Sequence, residues 1–303
     1  MSASLNLFLG RTLRERIGTV INWLLIATVA MLGLQIKWMS KSPNPAEWND
    51  YSQEANDHLY SGPSIIQPKT LPVIAHRGGS VPGSLQAGPL ERLDYSYEQG
   101  HRLFELDFSW SSDAEIVVKH DWKSVKSIPS LSEFLAQSPG NHASLEMVYS
   151  WMQDHPDAFI VTDCKKQSLK FFAKVRMERP ELVPRFIPQI YQFKDYELAK
   201  KQGFRNIILT LYRCLSKTPD DDIVQFAKAH DLFAVTIPES RCFESNLAQR
   251  LTQTDNFVYT HTINDEAIAR EVLMCGSQGV YSDSLHNEAL IRIAASTGRD
   301  EIR

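Results

Sequence analysis

The sequence has few cysteines and no excess of basic residues. Its four cysteines are widely spaced in 303 residues and form no C-x-x-C pair. We therefore predict neither a zinc or redox motif nor a disulfide scaffold, and we interpret the cysteines as mostly free thiols. The formal net charge is -4, which argues against a broad nucleic-acid-binding surface, because such a surface needs basic residues to offset the phosphates.

The composition is that of a folded chain. Hydrophobic residues make up 43% of the sequence and charged residues 22%, which is unlike the composition of a disordered protein. A chain of this length can bury one sizeable core, so one large domain with an appendage is the first expectation.

One uncharged apolar segment lies near the N-terminus. Residues 17–36 contain no charged residue, and at about 1.5 Å per residue this segment reaches about 30 Å as a helix, the thickness of a bilayer core. It lacks a convincing small-residue cleavage site, so we predict an uncleaved single-pass anchor rather than a removed signal or a buried core helix. More cations precede the segment than follow it, which favours a cytoplasmic N-terminus and a folded domain on the other side.

These features predict four regions. Residues 1–16 form the cytoplasmic N-terminus, residues 17–38 the transmembrane helix, and residues 39–70 a linker rich in proline, serine and asparagine. The folded domain is expected over residues 71–303.

Short β-rich segments alternate with helical segments throughout the predicted domain. This alternation is typical of βαβ units and a parallel sheet, and eight units fit an α/β fold of the (β/α)8 TIM-barrel type, with a doubly wound open sheet as the alternative. The eight predicted strands cover residues 72–75, 103–108, 159–162, 186–190, 206–211, 233–237, 257–261 and 279–282.

A ninth strand pattern interrupts the alternation. Residues 115–120 follow the second strand after the turn-like Ser111-Ser112-Asp113. We interpret this segment as a β excursion that folds His120 back over the barrel mouth.

Polar residues cluster where predicted strands end, which is where barrel enzymes place their active sites. In Glu105-Leu106-Asp107 the two carboxylates lie two residues apart and therefore face the same side of a strand. Inside a barrel they need a cation partner, and oxygen ligands favour a hard divalent ion such as Mg²⁺ or Ca²⁺. Asp163 offers a third ligand from the adjacent strand.

Each of these motifs also has a purely structural interpretation. Glu105 and Asp107 could pair with Arg102 or Lys119, and Asp163 with Lys165 could be a salt bridge at a strand end. The glycines after His76-Arg77 favour a functional interpretation, because glycine lets the backbone approach a phosphate closely.

The order of the motifs resembles that of the glycerophosphodiester phosphodiesterase family. That family has H-R-G at the first strand, E-x-D at the second and H-D in the following loop; here these are His76-Arg77-Gly78, Glu105-Leu106-Asp107 and His120-Asp121. Weaker matches follow. They are Asp163-Cys164-Lys165 for E-x-K, Tyr191-Gln192-Phe193 for Q-S-F, His261-Thr262-Ile263-Asn264 for W-T-V-N, and Ser282-Asp283 for T-D.

The resemblance implies a metal-dependent phosphoric diester hydrolase. His76 and His120 would flank the scissile phosphodiester as general acid and base, in an order that the sequence leaves open. Glu105, Asp107 and Asp163 would hold one divalent cation, while Arg77 and Lys165 would bind the substrate phosphate. The implied substrate is a glycerophosphodiester or a lysophospholipid, within reach of the membrane through the N-terminal helix.

Three departures leave other functions open. The family has P-E-N-T where this chain has Pro82-Gly83-Ser84-Leu85, Glu where it has Asp163, and Trp where it has His261. These differences predict a divergent member. The alternatives are a phospholipase C or D type enzyme that forms a cyclic phosphate, and a catalytically inactive membrane-tethered binding barrel.

Overall fold

The computed structural model describes residues 71–84, 86–212, 215–254 and 256–297. The predicted cytoplasmic N-terminus, transmembrane helix and linker lie outside these residues and stay predictions. Among the residues that are described, no helix combines the length and apolar character needed to span a bilayer.

Eight parallel strands close into a barrel. They are β1 (Val73–Ala75), β2 (Leu103–Trp110), β4 (Phe159–Asp163), β5 (Phe186–Ile190), β6 (Ile208–Thr210), β7 (Ala234–Pro238), β8 (Phe257–His261) and β9 (Gly279–Ser282). Each strand pairs with the next one in the barrel, and β1 pairs with both β2 and β9. This closure confirms the predicted barrel and excludes the doubly wound open sheet.

The predicted β excursion is strand β3 (Ile116–Val118). It pairs antiparallel with β2, so that Ile116 lies opposite Trp110 and Val118 opposite Phe108. The next residue, Lys119, donates its backbone N–H to the carbonyl of Asp107 at 2.9 Å. The hairpin therefore returns the chain to the carboxyl end of β2.

Helices surround the barrel. The sequence pattern predicts helices over residues 145–155, 195–202, 221–230 and 266–274, and these occur to within about a residue at each end. The helices around the barrel are α1 (Pro89–Glu98), α2 (Leu131–Gln137), α3 (Leu145–Asp154), α4 (Ser168–Glu178), α5 (Asp195–Lys201), α6 (Asp220–Ala229), α7 (Glu239–Glu244), α8 (Leu247–Thr252), α9 (Glu266–Met274) and α10 (Asn287–Ser296). Short 3-10 helices cover His76–Gly78 and Pro180–Arg185.

The core has two parts, separated by the strands. One cluster fills the barrel interior and includes Ile74, Leu103, Val161 and Tyr281. The larger cluster, to which Leu106 belongs, packs between the strands and the helices. Because side chains alternate along a strand, Leu103 in the interior and Leu106 outside it place Glu105 and Asp107 on the interior side.

A buried histidine next to β2 links stability to pH. His101 is 2% exposed, and its Nε2 lies 3.1 Å from Nδ1 of His286. Burial, with smaller contributions from His286 and Arg102, lowers the pKa of His101 to about 4 from 6.5. The unfolded chain therefore binds more protons than the folded chain between these two values, and stability falls as the pH falls through this range.

We predict that the His101→Gln variant is less sensitive to acid than the wild type. From about pH 7 to about pH 5, the wild type should lose about 2 kcal/mol more unfolding free energy than the variant, because only the wild type must keep this imidazole neutral. Urea unfolding of both full-length proteins, followed by near-UV circular dichroism at the two pH values, measures this difference. Equal losses in the two proteins would show that His101 does not control the acid sensitivity.

Candidate functional site

The site lies at the carboxyl end of the barrel, where the inward-facing positions turn polar. The register places Asp107 opposite Asp163 on neighbouring strands. Towards the other end the same inward positions hold Leu103, Phe159 and Val161, which belong to the apolar interior cluster. The carboxylates therefore lie at the carboxyl-end mouth of the barrel. The apolar interior cluster packs beneath them, and we call it the apolar plug.

Three carboxylates meet at this mouth. Glu105, Asp107 and Asp163 are all buried, and one oxygen atom from each lies within 4.8 Å of the others. Burial raises the pKa of Glu105 well above its ordinary value, and the negative charges of Asp107 and Asp163 raise it further. Such a cluster is costly unless cations compensate it.

Two side-chain cations reach the carboxylates. Nζ of Lys165 lies 2.7 Å from Oδ1 of Asp107 and 2.8 Å from Oδ2 of Asp163. Nε of Arg77 lies 3.2 Å from Oδ2 of Asp107. Burial alone would lower the pKa of Lys165, but the two aspartates outweigh it and raise this pKa. Lys165 therefore stays charged at the centre of the site.

The structural alternatives for these residues are partly observed. The Asp163–Lys165 salt bridge exists, but Lys165 also binds Asp107, so it belongs to the cluster rather than to an isolated strand end. Arg102 pairs instead with Asp157 at 2.6 Å. Lys119 binds Asp107 through its backbone N–H.

The His76–Gly78 turn brings the backbone into the site. Arg77 adopts a left-handed conformation with φ 52°, and its N–H donates to Oε2 of Glu105 at 2.9 Å. Gly79 follows with φ 89°, and a Cβ there would lie 2.2 Å from Oγ of Ser96. The positive φ favours glycine at this position, and a Cβ there would also displace the Ser96 hydroxyl from its 2.8 Å hydrogen bond to the Gly78 carbonyl.

His76 is held in one orientation by residues distant in sequence. Its Nδ1 lies 2.8 Å from Oδ1 of Asp283, and its Nε2 lies 3.8 Å from Oε2 of Glu105. Asn264 donates to the other oxygen of Asp283 at 2.7 Å and accepts from the backbone N–H of Asp283 at 2.7 Å. The hydrogen bond from His76 lowers the pKa of Asp283. A carboxylate in this place favours a proton on Nδ1, and Nε2 is the ring nitrogen that faces Glu105 and the rest of the site.

A second histidine packs against His76. The ring centroids of His76 and His261 are 4.9 Å apart in an edge-on arrangement, and His261 also contacts the rings of Tyr212 and Tyr281 at 5.2 and 5.1 Å. Burial lowers the pKa of His261 to about 3, with the neighbouring His76 and Lys165 contributing. His261 is therefore a neutral imidazole in the wall of the mouth.

Four further residues of this mouth are not among the seven predicted site residues: Asp283, Asn264, Tyr191 and His261. Tyr191 donates its hydroxyl proton to Oδ1 of Asp163 at 2.5 Å. All four lie in the weaker motifs of the family resemblance, which follow later strands of the barrel, so these motifs were the sequence feature that could have identified them. Their roles depend on contacts across the barrel, which spacing along the chain does not show.

Six of the seven predicted site residues form one network of contacts. They are His76, Arg77, Glu105, Asp107, Asp163 and Lys165. The seventh, His120, follows the end of the hairpin next to Lys119. It is partly exposed, and its Nδ1 lies 3.0 Å from Oδ2 of Asp121. The hydrogen bond from Lys119 to the Asp107 carbonyl ties the neighbouring backbone to the same mouth.

The three carboxylates fit a hard divalent cation. All three provide oxygen ligands that converge within 4.8 Å, and when all three are ionised they carry more negative charge than Lys165 and the half-exposed Arg77 neutralise. Oxygen ligands of this kind suit Mg²⁺ or Ca²⁺.

Several solved structures share this fold. No protein-family profile matches the sequence, and no curated protein matches it significantly. A glycerophosphodiester phosphodiesterase from Thermotoga maritima is 19% identical, with a TM-score of 0.57 over 74% of this chain and 98% of that one. One from Parabacteroides distasonis is 15% identical, with a TM-score of 0.58 over 74% and 97%. An Oleispira antarctica phosphodiesterase in complex with the product sn-glycerol-3-phosphate is 18% identical, with a TM-score of 0.51 over 72% and 94%.

We predict that the carboxylate cluster binds a divalent cation. Isothermal titration of the metal-stripped protein with Mg²⁺, Ca²⁺ or Mn²⁺ should show one site. The Glu105→Gln and Asp163→Asn variants should raise its Kd about tenfold or more, which corresponds to about 1.4 kcal/mol, because each loses an anionic oxygen ligand. The matched control is Glu133→Gln, which makes the same change at a carboxylate that caps α2. Unchanged affinity in both site variants would place the cation elsewhere.

The matched structures and this chain share one barrel fold. The matched structures are almost fully covered by this chain, and the motif residues lie where the strands of the barrel end. The chain therefore has the barrel fold of the glycerophosphodiester phosphodiesterases, and six of the seven site residues that its motifs predict meet at one mouth of that barrel.

Proposed function

We propose that this protein hydrolyses phosphodiesters of the glycerophosphodiester or lysophospholipid class to an alcohol and a phosphomonoester. The observation that carries the proposal is the combination, at one barrel mouth, of a buried carboxylate triad, two cations and an oriented histidine. The shared fold and the product bound to the Oleispira antarctica phosphodiesterase support it.

His76 is the first proton-transfer group. With Nδ1 bound to Asp283, its Nε2 is placed to take a proton from the attacking water or to give one to the leaving alkoxide. Asp283 stabilises the imidazolium formed when His76 holds the proton. His120 is the second group, and the Asp121 carboxylate at its Nδ1 can orient it in the same way.

The remaining site residues bind and orient the phosphate. Arg77 and Lys165 provide positive charge where phosphoryl oxygens would lie, and both are held in place by Asp107. A divalent cation bound by Glu105, Asp107 and Asp163 would supply further stabilisation of negative charge on those oxygens. The apolar plug beneath the mouth strengthens these interactions by excluding water from below.

The proposed location is a membrane surface. The uncharged segment at residues 17–36 and the cations around it support a single-pass anchor, with the barrel on the non-cytoplasmic side. An anchored enzyme would be concentrated near lipid-derived substrates.

We predict that His76→Ala and His120→Ala each lower kcat about 10²- to 10⁴-fold, because each removes a proton-transfer group. Hydrolysis of glycerophosphocholine, a lysophospholipid and bis-p-nitrophenyl phosphate by the full-length protein with added Mg²⁺, Ca²⁺ or Mn²⁺ tests this. The control variant is His142→Ala, which removes a histidine that hydrogen-bonds to the backbone carbonyl of Phe134. A wild type without turnover on any of these substrates would refute the hydrolase proposal and favour an inactive binding barrel.

We predict that Asp283→Asn acts on kcat and leaves KM almost unchanged. The amide keeps the size of the side chain but not its charge, so it binds Nδ1 without stabilising the imidazolium, and kcat should fall about tenfold to a hundredfold. The pH dependence of kcat/KM should also shift in the variant, which a loss of packing alone would not produce. An unchanged pH profile would show that Asp283 has only a structural role.

A further inference from the structure

The connection between β3 and α2 presents, beyond His120 and Asp121, an exposed surface that the proposed chemistry does not use. We call residues 119–129 the lysine loop. Within it, residues 123–128 are all exposed and read Lys-Ser-Val-Lys-Ser-Ile, so that lysines and branched apolar residues each recur every third position. Val125 is 37% exposed and Ile128 44% exposed. In a protein with a net charge of -4, this segment is locally basic.

The acidic groups around the loop are already engaged. The Asp121 carboxylate lies 3.0 Å from Nδ1 of His120 and 3.3 Å from Nζ of Lys123. Residues 123–128 include no carboxylate. Among the carboxylates of adjacent elements, Glu115 pairs with Lys174, whereas Glu133 and Asp113 bind uncharged serine and backbone groups and keep their negative charge. Within the loop itself, the positive charge of Lys119, Lys123 and Lys126 exceeds the single negative charge of Asp121.

The loop is fixed to the barrel at both ends. Nε1 of Trp122 donates to the carbonyl of Trp110 at 2.8 Å, and the Trp122 ring packs edge-on against Phe134 at 5.4 Å. The backbone N–H of Ser112 donates to the carbonyl of Pro129 at 2.9 Å. The side chains between these anchors are thus held outward on a defined support.

Apolar surface continues beside the loop. Ile128 and Pro129 line an open surface depression together with Ala136 of α2. Glu133 and Gln137 also line it, so its rim is polar. The exposed apolar part is small, whereas a stable protein interface needs about 800 Å² from each partner.

We propose that the lysine loop docks on an anionic phospholipid bilayer. Lys123 and Lys126 are attracted to the negative surface, while Val125 and Ile128 are short enough for shallow insertion at the headgroup boundary. The loop begins at Lys119, whose N–H binds the carbonyl of Asp107. Docking there would place the barrel mouth next to the lipid surface.

The test compares neutral and anionic lipids. The full-length protein is reconstituted in vesicles of phosphatidylcholine alone or of phosphatidylcholine with phosphatidylglycerol, and hydrogen–deuterium exchange is followed in peptides that cover the lysine loop. An N-terminal anchor would be present in both kinds of vesicle, so a difference in loop exchange between them depends on the charge of the lipid headgroups. We expect exchange in the loop to slow about tenfold with phosphatidylglycerol and to recover when added salt screens the attraction.

Variants test whether the protection depends on the lysine loop or on lysines elsewhere on the surface. Lys123→Gln/Lys126→Gln should abolish the protection, and Val125→Ser/Ile128→Ser should reduce it. Lys201→Gln/Lys228→Gln, the same charge change on α5 and α6, should keep it. Equal exchange in the two lipids, or full protection in the Lys123→Gln/Lys126→Gln variant, would overturn the proposal. The readout does not depend on turnover, so it is independent of whether the hydrolase proposal holds.

Discussion

Mutual repulsion of three buried carboxylates is the constraint that organises this mouth. Glu105, Asp107 and Asp163 converge within 4.8 Å in surroundings that raise the pKa of Glu105 well above its ordinary value. Removing such ions from water costs on the order of several kcal/mol each. The arrangement persists because Lys165 bridges two of them and the Arg77 backbone N–H binds the third. When all three carboxylates are ionised, Lys165 and Arg77 do not neutralise them completely, and the remaining negative charge suits a bound cation.

The parallel register of the barrel creates this convergence. Asp107 lies opposite Asp163 because β2 and β4 start at Leu103 and Phe159, which are also opposite each other. Two-residue periodicity then places Glu105, Asp107 and Asp163 on the interior side without further adjustment. A shift of one residue in this register would turn the carboxylates towards the helices and their apolar partners into the mouth.

The orientation of His76 depends on the pairing of the last strand of the barrel with the first. β9 pairs with β1, which brings Asp283 next to His76 although most of the chain lies between them. Asn264, after β8, holds Asp283 by two hydrogen bonds. This contact therefore requires closure of the barrel, because an open sheet would leave β1 and β9 at opposite edges.

The sequence by itself determined the strand order, the hairpin after β2 and the identity of the carboxylate triad. These follow from local patterns: alternating β-rich and helical segments, E-x-D spacing, and motifs in a family-like order. It also predicted the N-terminal anchor, which lies outside the described residues. Only the tertiary structure decided that Lys165 spans Asp107 and Asp163, that Asp283 orients His76, and that a neutral His261 packs against it. These contacts join strands that are distant in sequence, and their geometry arises only when the barrel closes.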